Sequence, residues 1–215
     1  MKRRRTTISN KAILAATGNY IIFLDGDCIP FPTFVEAHKQ AARYGHFVAG
    51  SKVFLTESFT AQISVEDVRG GRLYRPGSWW WWGISRHLRR LVLSHIAGVR
   101  WLLDLNRQTW SWRGDNSSTF AEHLHAVGGF DQRLSYGGED NDLGRRLEGF
   151  GVRCLSRRYQ IPVLHLEHER PYVKKDDYSN NLKLRTEALA AGRYVTEHGL
   201  RRHRRAAPPG PASKT

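Results

Sequence analysis

The apolar run Tyr20-Ile21-Ile22-Phe23-Leu24 passes directly into Asp25-Gly26-Asp27-Cys28-Ile29-Pro30, and this junction constrains the chain more than any other stretch. Five consecutive apolar residues, β-branched and aromatic among them, predict a strand covered on both faces. Asp25, Gly26 and Asp27 break the run. Pro30 and Pro32 then deny it a continuation, because proline brings no N–H to a sheet ladder. Ligands of open α/β sheets bind beyond the carboxyl ends of strands, so two carboxylates in this position mark a candidate site. The pattern Asp-x-Asp is common by chance and recurs here at Asp140-Asn141-Asp142, so its company has to decide.

That company reads as alternating helix and strand. Residues 9–17 read as a short helix with Ser9 or Asn10 as cap and Gly18 as terminator. Residues 34–44 have helical periodicity through Phe34, Val35, Ala41 and Ala42, and residues 47–55 read as one strand. A further helix is expected to begin near Asp140 or Asn141, with Leu143, Leu147 and Phe150 on one face and Gly149 and Gly151 at its end. Residues 152–155 and 161–166 read as strands, and residues 176–198 have the composition of a surface helix. Residues 201–215 are basic and then proline-rich, the composition of a disordered tail. The pattern as a whole implies an α/β domain over residues 1–200.

Charge narrows the partner without naming it. A net charge of +14 over 215 residues implies an anionic partner: nucleic acid, an acidic membrane surface or a phosphorylated substrate. No helix-turn-helix, zinc-finger or RNP pattern is present, which argues against nucleic acid. Cys28 and Cys154 form no disulfide framework and no metal-binding Cys pair, which fits a reducing, cytoplasmic compartment. The basic start and the apolar residues 12–16 are too short for a signal peptide, and nothing reaches the ~18 apolar residues of a membrane span.

Residues 56–112 differ in character. They carry Trp79-Trp80-Trp81-Trp82 and, over residues 84–105, an amphipathic cationic helix with Ile84, Leu88, Leu91, Val99, Leu102 and Leu103 on one side and Arg86, Arg90 and Arg100 opposite. Such a helix is equally suited to facing a core or to lying peripherally on an anionic bilayer.

Three groups of residues can carry chemistry. Asp25 and Asp27 offer hard oxygen ligands suited to Mg2+ or Mn2+, ions held by one or two carboxylates together with substrate phosphates. Glu139 and Asp140 follow Gly137-Gly138, which permits close approach of a substrate to backbone and carboxylate, and either could serve as a general base. Acidic residues at a helix start also complement its dipole. His165 and His168 can be metal ligands, bases or simple strand-end histidines; one of them joining Asp27 on a divalent ion is favoured over a zinc set, which nothing completes.

In this order and spacing, Ser9–Ile13, residues 16–30, Arg113-Gly114-Asp115-Asn116, Gly128-Gly129-Phe130-Asp131, Gly137-Gly138-Glu139-Asp140-Asn141-Asp142-Leu143 and Val163-Leu164-His165-Leu166-Glu167-His168 resemble the family 2 glycosyltransferases. The likeness is to bacterial members of lipopolysaccharide or capsule type with a galactosyltransferase-like C-terminal region. It implies a GT-A fold, a Rossmann-like mixed sheet flanked by helices. It also implies a Mn2+- or Mg2+-dependent, inverting transfer of a sugar from a nucleotide-sugar, a UDP-sugar by expectation, to a hydroxyl of a glycan or lipid-linked acceptor.

Carried onto this chain, the resemblance puts Asp25 by the ribose and the metal, and Asp27 on the ion that neutralises the donor diphosphate. Asp140 becomes the base, with Glu139 fixing acceptor or base geometry. His165 best matches the late metal-contacting histidine, with His168 the alternative, and Asp115, Asn116 and Gly138 line the acceptor side. The family places further βαβ units before the Asp-x-Asp strand, whereas 24 residues precede Asp25 here. The domain is therefore expected to be truncated at its N-terminus, with an insertion over about residues 76–106 and an apolar strand edge that favours poor solubility or a partner.

Overall fold

A computed structural model describes residues 5–75, 96–105, 111–169 and 175–201. The chain divides into two compact units: Met1–Asn19, Ala121–Gly151 and Tyr172–Thr215 form one, and Tyr20–Phe120 with Val152–Pro171 the other. Among the described residues the first is built from helices and the second holds all the strands.

Among the described residues the second unit contains seven strands: β1 (Tyr20–Leu24), β2 (Cys28–Pro30), β3 (His46–Ala49), β4 (Ser51–Phe54), β5 (Asn116–Phe120), β6 (Arg153–Ser156) and β7 (Pro162–His165). They form two mixed sheets, of order β1-β5-β3-β6 and β2-β7-β4. In the first, β5 is antiparallel to β1 and β3, and β3 is parallel to β6. In the second, β7 runs antiparallel to β2 and parallel to β4. The α/β class expected from the sequence is present, with mixed sheets and flanking helices.

Helix α2 (Phe34–Ala41) packs against both sheets. Phe34 joins Val48 of the first sheet and Cys28 and Val163 of the second in one cluster, with Ile161 beside them. The short helices α3 (Glu57–Thr60) and α4 (Val65–Arg69) and a 3-10 turn at Arg72–Tyr74 pack on Val53 and Leu164 of the second sheet through Phe59, Val68 and Leu73. Thr56 and Ser64 cap the two helices, the latter in a capping box with Asp67.

Three expectations are corrected. Residues 47–55 are two strands in different sheets, because the chain crosses at Gly50: its N–H donates to the Asn116 carbonyl at 3.0 Å, and the next N–H, of Ser51, donates to the Ile161 carbonyl at 3.0 Å. A Cβ on Gly50 would stand 2.4 Å from the Asn116 amide and the Ile161 oxygen, so only glycine fits the crossing. β1 ends at Leu24, as expected, and Cys28–Pro30 form a separate strand, β2, at the edge of the other sheet, where a proline can spare an N–H. β1 is likewise an edge strand, half-buried rather than covered on both faces, with Leu24 39% exposed. Residues 34–44 are helical only to Ala41.

A buried polar chain holds the two sheets together. Asn116 donates from Nδ2 to the Ser51 and Ile161 carbonyls at 2.9 and 2.8 Å, which leaves Oδ1 as an acceptor facing His38 Nε2 at 3.1 Å. His38 therefore carries its proton on Nε2 and accepts at Nδ1 from the Ser118 hydroxyl at 2.7 Å. Ser118 Oγ, its proton so used, accepts from the Tyr20 hydroxyl at 2.8 Å. Burial pushes the His38 imidazole down to about 4, which keeps it neutral.

Helix α5 (Ala97–Leu105) is the described part of the amphipathic segment; residues 76–95, including the tryptophan run, and 106–110 lie outside the described residues, as do 202–215. Its apolar stripe does not simply face inward. Leu102 of that stripe is 64% exposed, as is Trp101 outside it at 58%, while the buried Asp104 anchors the helix by accepting from the backbone N–H groups of Tyr159 and Gln160, each at 3.1 Å. No helix among the described residues is long and apolar enough to cross a membrane.

The helical unit comprises α1 (Arg5–Ala15), α6 (Ala121–Ala126), α7 (Glu139–Gly149) and α8 (Lys175–Ala190). Helix α1 starts earlier than expected, so Asn10 is an interior residue rather than a cap. Fully buried, it pairs with both backbone groups of Phe130, donating to the carbonyl and accepting from the N–H at 2.8 Å each. In α7, Leu143 and Leu147 are buried as expected, but Phe150 is 50% exposed, placed past the helix end at Gly149.

Candidate metal centre

The loop after β1 is a tight turn closed by the Cys28 N–H donating to the Asp25 carbonyl at 3.1 Å, and it carries the chain from the first sheet to the second. The register of β2 against β7 sets Cys28 opposite His165, so Asp27 comes to the end of β7. The Leu166 N–H donates to the Asp27 carbonyl at 2.9 Å and the Glu167 N–H to Thr60 Oγ1 at 2.9 Å, fixing the segment that presents both histidines.

Asp27 Oδ2 stands 2.9 Å from His168 Nε2 and 3.5 Å from His165 Nε2. The ligand atoms of these three residues all lie within 4.8 Å of one another. The two imidazoles stack with centroids 5.5 Å apart, and the ring of Phe54 closes on the buried His165 at 4.9 Å. Burial works against ionisation of Asp27, but the charges of His165 and His168 and the hydrogen bond from His168 outweigh it and hold the carboxyl below its ordinary range.

The donor set fits a divalent cation. His168 Nδ1 lies 2.9 Å from the Glu169 carbonyl oxygen, an acceptor only, so Nδ1 bears the proton. In a neutral ring Nε2 then turns a lone pair towards the Asp27 carboxylate, an arrangement that either a second ring proton or a cation satisfies. A ring N–H donated to a carbonyl is also the usual outer support of a metal-bound imidazole. One carboxylate with two imidazoles is softer than an all-oxygen set and suits Mn2+ better than Mg2+.

Other charged groups gather here. Asp115, buried, receives a two-pronged contact from Arg113 at 2.9 and 3.0 Å and the ammonium of Lys52 at 2.5 Å. Burial opposes its ionisation, and the two cations overcome that and keep it ionised. Burial, and then the carboxylates of Asp115, Asp27 and Asp25, push the Cys28 thiol far up, leaving it protonated and unreactive. Asp25, half-buried, thus belongs to the same charged cluster. Lys52 has no counterpart among the residues anticipated from the sequence; the alternation of β4, with Ser51 and Val53 buried and Lys52 and Phe54 half-buried, is the signal that points it to this side.

The remaining anticipated residues stand elsewhere. Asn116 is fully buried with its amide wholly used between strands, which removes it from any surface an acceptor reaches. Gly138, Glu139 and Asp140 belong to the helical unit. Gly137 and Gly138 have φ of +102° and +97°, a region that favours glycine, and a Cβ on Gly138 would stand 2.5 Å from Arg185 Nη1. Glu139 is buried; it accepts from the Gly137 N–H at 2.7 Å and lies 3.5 Å from Arg5 Nη1, while the more accessible Asp140 lies 4.0 Å from the same nitrogen.

Comparison with models of known protein families finds no match to this chain, and comparison with curated protein sequences finds none.

Proposed function

We propose that this chain is a divalent-metal-dependent, inverting glycosyltransferase of family 2 type with a GT-A core, moving a sugar from a nucleotide-sugar to a hydroxyl of a glycan or lipid-linked acceptor at the cytoplasmic side of a membrane. The observation that carries the reading is the convergence of Asp27, His165 and His168, brought together from the Asp-x-Asp turn and the end of β7. An ion held by these three residues supplies neutralisation of the diphosphate leaving group.

The protein's own groups take the other roles. Lys52 and Arg113 add positive charge beside the carboxylate cluster, where a donor diphosphate would otherwise meet Asp25, Asp27 and Asp115 unscreened. Asp140 accepts the proton of the acceptor hydroxyl. Glu139, fixed by the Gly137 N–H and Arg5, holds the start of α7 and so the position of Asp140.

The test is turnover of UDP-sugars, followed as UDP release, with and without Mn2+. Turnover that needs Mn2+ and disappears in Asp27→Ala supports the reading; no UDP release with a panel of UDP-sugars and acceptors counts against it. A second reading, a basic protein that binds an anionic membrane without catalysis, is favoured by the exposed apolar side of α5, where Trp101, Leu102 and Leu105 are accessible on a chain of net charge +14. Binding to phosphatidylglycerol vesicles that is lost in a Trp101→Ser/Leu102→Ser variant, with no UDP release under any condition, would select it.

A further inference from the structure

The helical unit contains an open cavity of about 140 Å³ lined by four arginines, Arg133, Arg146, Arg185 and Arg193. Two of these carry a buried nitrogen with no protein acceptor among the described residues, Arg146 Nη2 and Arg185 Nε. We infer that this cavity is a binding site for a phosphate-sized dianion, either free phosphate or the phosphoryl group of a monoester. The inference stands apart from the sugar-transfer reading, since none of the residues proposed for that chemistry lines the cavity.

Arg146 is almost completely buried, and its donors are largely committed: Nε donates to Asp142 Oδ2 at 2.8 Å and Nη1 to the Val127 carbonyl at 2.8 Å. Its Nη2 stands 2.8 Å from the same Asp142 oxygen but off the line of a hydrogen bond, so the ion pair leaves that donor unsatisfied. Arg185, half-buried, donates from Nη2 to Asn141 Oδ1 and keeps Nε buried without an acceptor. A buried donor left unmade is costly, and a guanidinium donor more so than a neutral one. Burial, with Arg145 as a neighbouring like charge, pushes the Arg185 guanidinium down, a cost that an anion in the cavity would offset.

The acidic residues of the cavity do not cancel these cations. Asp131 is saturated by Arg133, through its backbone N–H and its guanidinium, and by the Thr196 hydroxyl at 2.9 Å. Asp142 is held by Arg146. The remaining acidic residue of the lining, Glu197, is exposed, and four arginines against three carboxylates leave the cavity a net positive charge. Guanidinium groups set around a small space match an oxyanion that accepts from several directions, as phosphate does. The volume is large enough for such a group.

The experiment is thermal unfolding of the full chain with inorganic phosphate, with methyl phosphate, and with chloride at matched ionic strength. A saturating concentration of phosphate, about 100-fold above its Kd, is expected to raise Tm by roughly 5 °C beyond chloride. Arg193→Ala, an exposed change that leaves the fold intact, and Arg185→Lys, which keeps the charge but loses Nε, are each expected to weaken phosphate affinity about 10-fold, the worth of one charge-assisted hydrogen bond, which roughly halves the Tm rise at the same phosphate concentration. Arg43→Ala, an exposed arginine of the sheet unit, is expected to respond like the unaltered protein. An equal response to methyl phosphate assigns the cavity to a phosphoryl group carried on a larger molecule, and a response to inorganic phosphate alone assigns it to the free ion. Phosphate acting no better than chloride, or Arg43→Ala losing as much as Arg193→Ala, overturns the inference.

Discussion

His168 turns Nε2 to within 2.9 Å of Asp27 Oδ2 while its other ring nitrogen is held by the Glu169 carbonyl. Two residues 141 positions apart thus share a small charged space that His165 also enters. Metal ligands must be unprotonated to bind, so proton and metal compete for this site. Titration calorimetry with Mn2+ at pH 7.5 is expected to show binding that is absent in Asp27→Ala. Unchanged Mn2+ binding in Asp27→Ala would remove the site from consideration.

The sequence signals that worked were those of local chemistry. The apolar run Tyr20–Leu24 ending in two carboxylates, and two histidines at the end of a second apolar strand, were visible because strand ends are where sheets expose side chains. That both His165 and His168 reach Asp27 was not visible, since it depends on the β2–β7 register. Strand β5 was hidden for a different reason: Asn-Ser-Ser-Thr-Phe has no hydrophobic pattern, yet four of its residues are buried because partners from His38, Tyr20, Arg113 and the His46 carbonyl satisfy them. Asn116 therefore resembled a ligand-binding residue and is a structural one. Asn10 misled in the same way, as a cap by composition and a buried tie to Phe130 by position.

The buried His38 should make stability depend on pH. Its folded pKa is depressed to about 4 against an ordinary value of 6.5, so its contribution is fully present above pH 6.5 and is lost as pH falls towards 4. The full difference corresponds to about 3 kcal/mol. Urea unfolding at pH 7.5, 6 and 5 should show this decline, and His38→Gln, which lacks a titrating ring, should show a flatter profile. Equal slopes for the two proteins would place the pH dependence elsewhere.

Gly50 is where β3 leaves one sheet and β4 enters the other, against the Asn116 amide. Gly50→Ala is expected to destabilise the protein by about 3 kcal/mol, because the added methyl displaces either the Asn116 side chain or the Ile161 carbonyl, and both are fixed by hydrogen bonds. Gly26→Ala, with nothing among the described residues within 4 Å of the new carbon, provides the comparison and should cost far less. Similar unfolding midpoints for the two variants would contradict the crossing as described.

The proposed base and its neighbour can be separated by what each loses. Asp140, half-buried, is the more accessible of the two carboxylates, whereas Glu139 is buried and already engaged by the Gly137 N–H and Arg5. Asp140→Asn keeps shape and hydrogen-bonding capacity but cannot take a proton, so kcat for sugar transfer should fall by about 10²- to 10⁴-fold with Mn2+ binding and Tm nearly unchanged. Glu139→Gln puts an amide where a buried carboxylate now answers both an N–H and a guanidinium, so it should lower Tm as well as activity. If Asp140→Asn retained full turnover while Glu139→Gln lost activity with an unchanged Tm, the two roles would have to be exchanged. If both retained turnover, the base would lie outside α7.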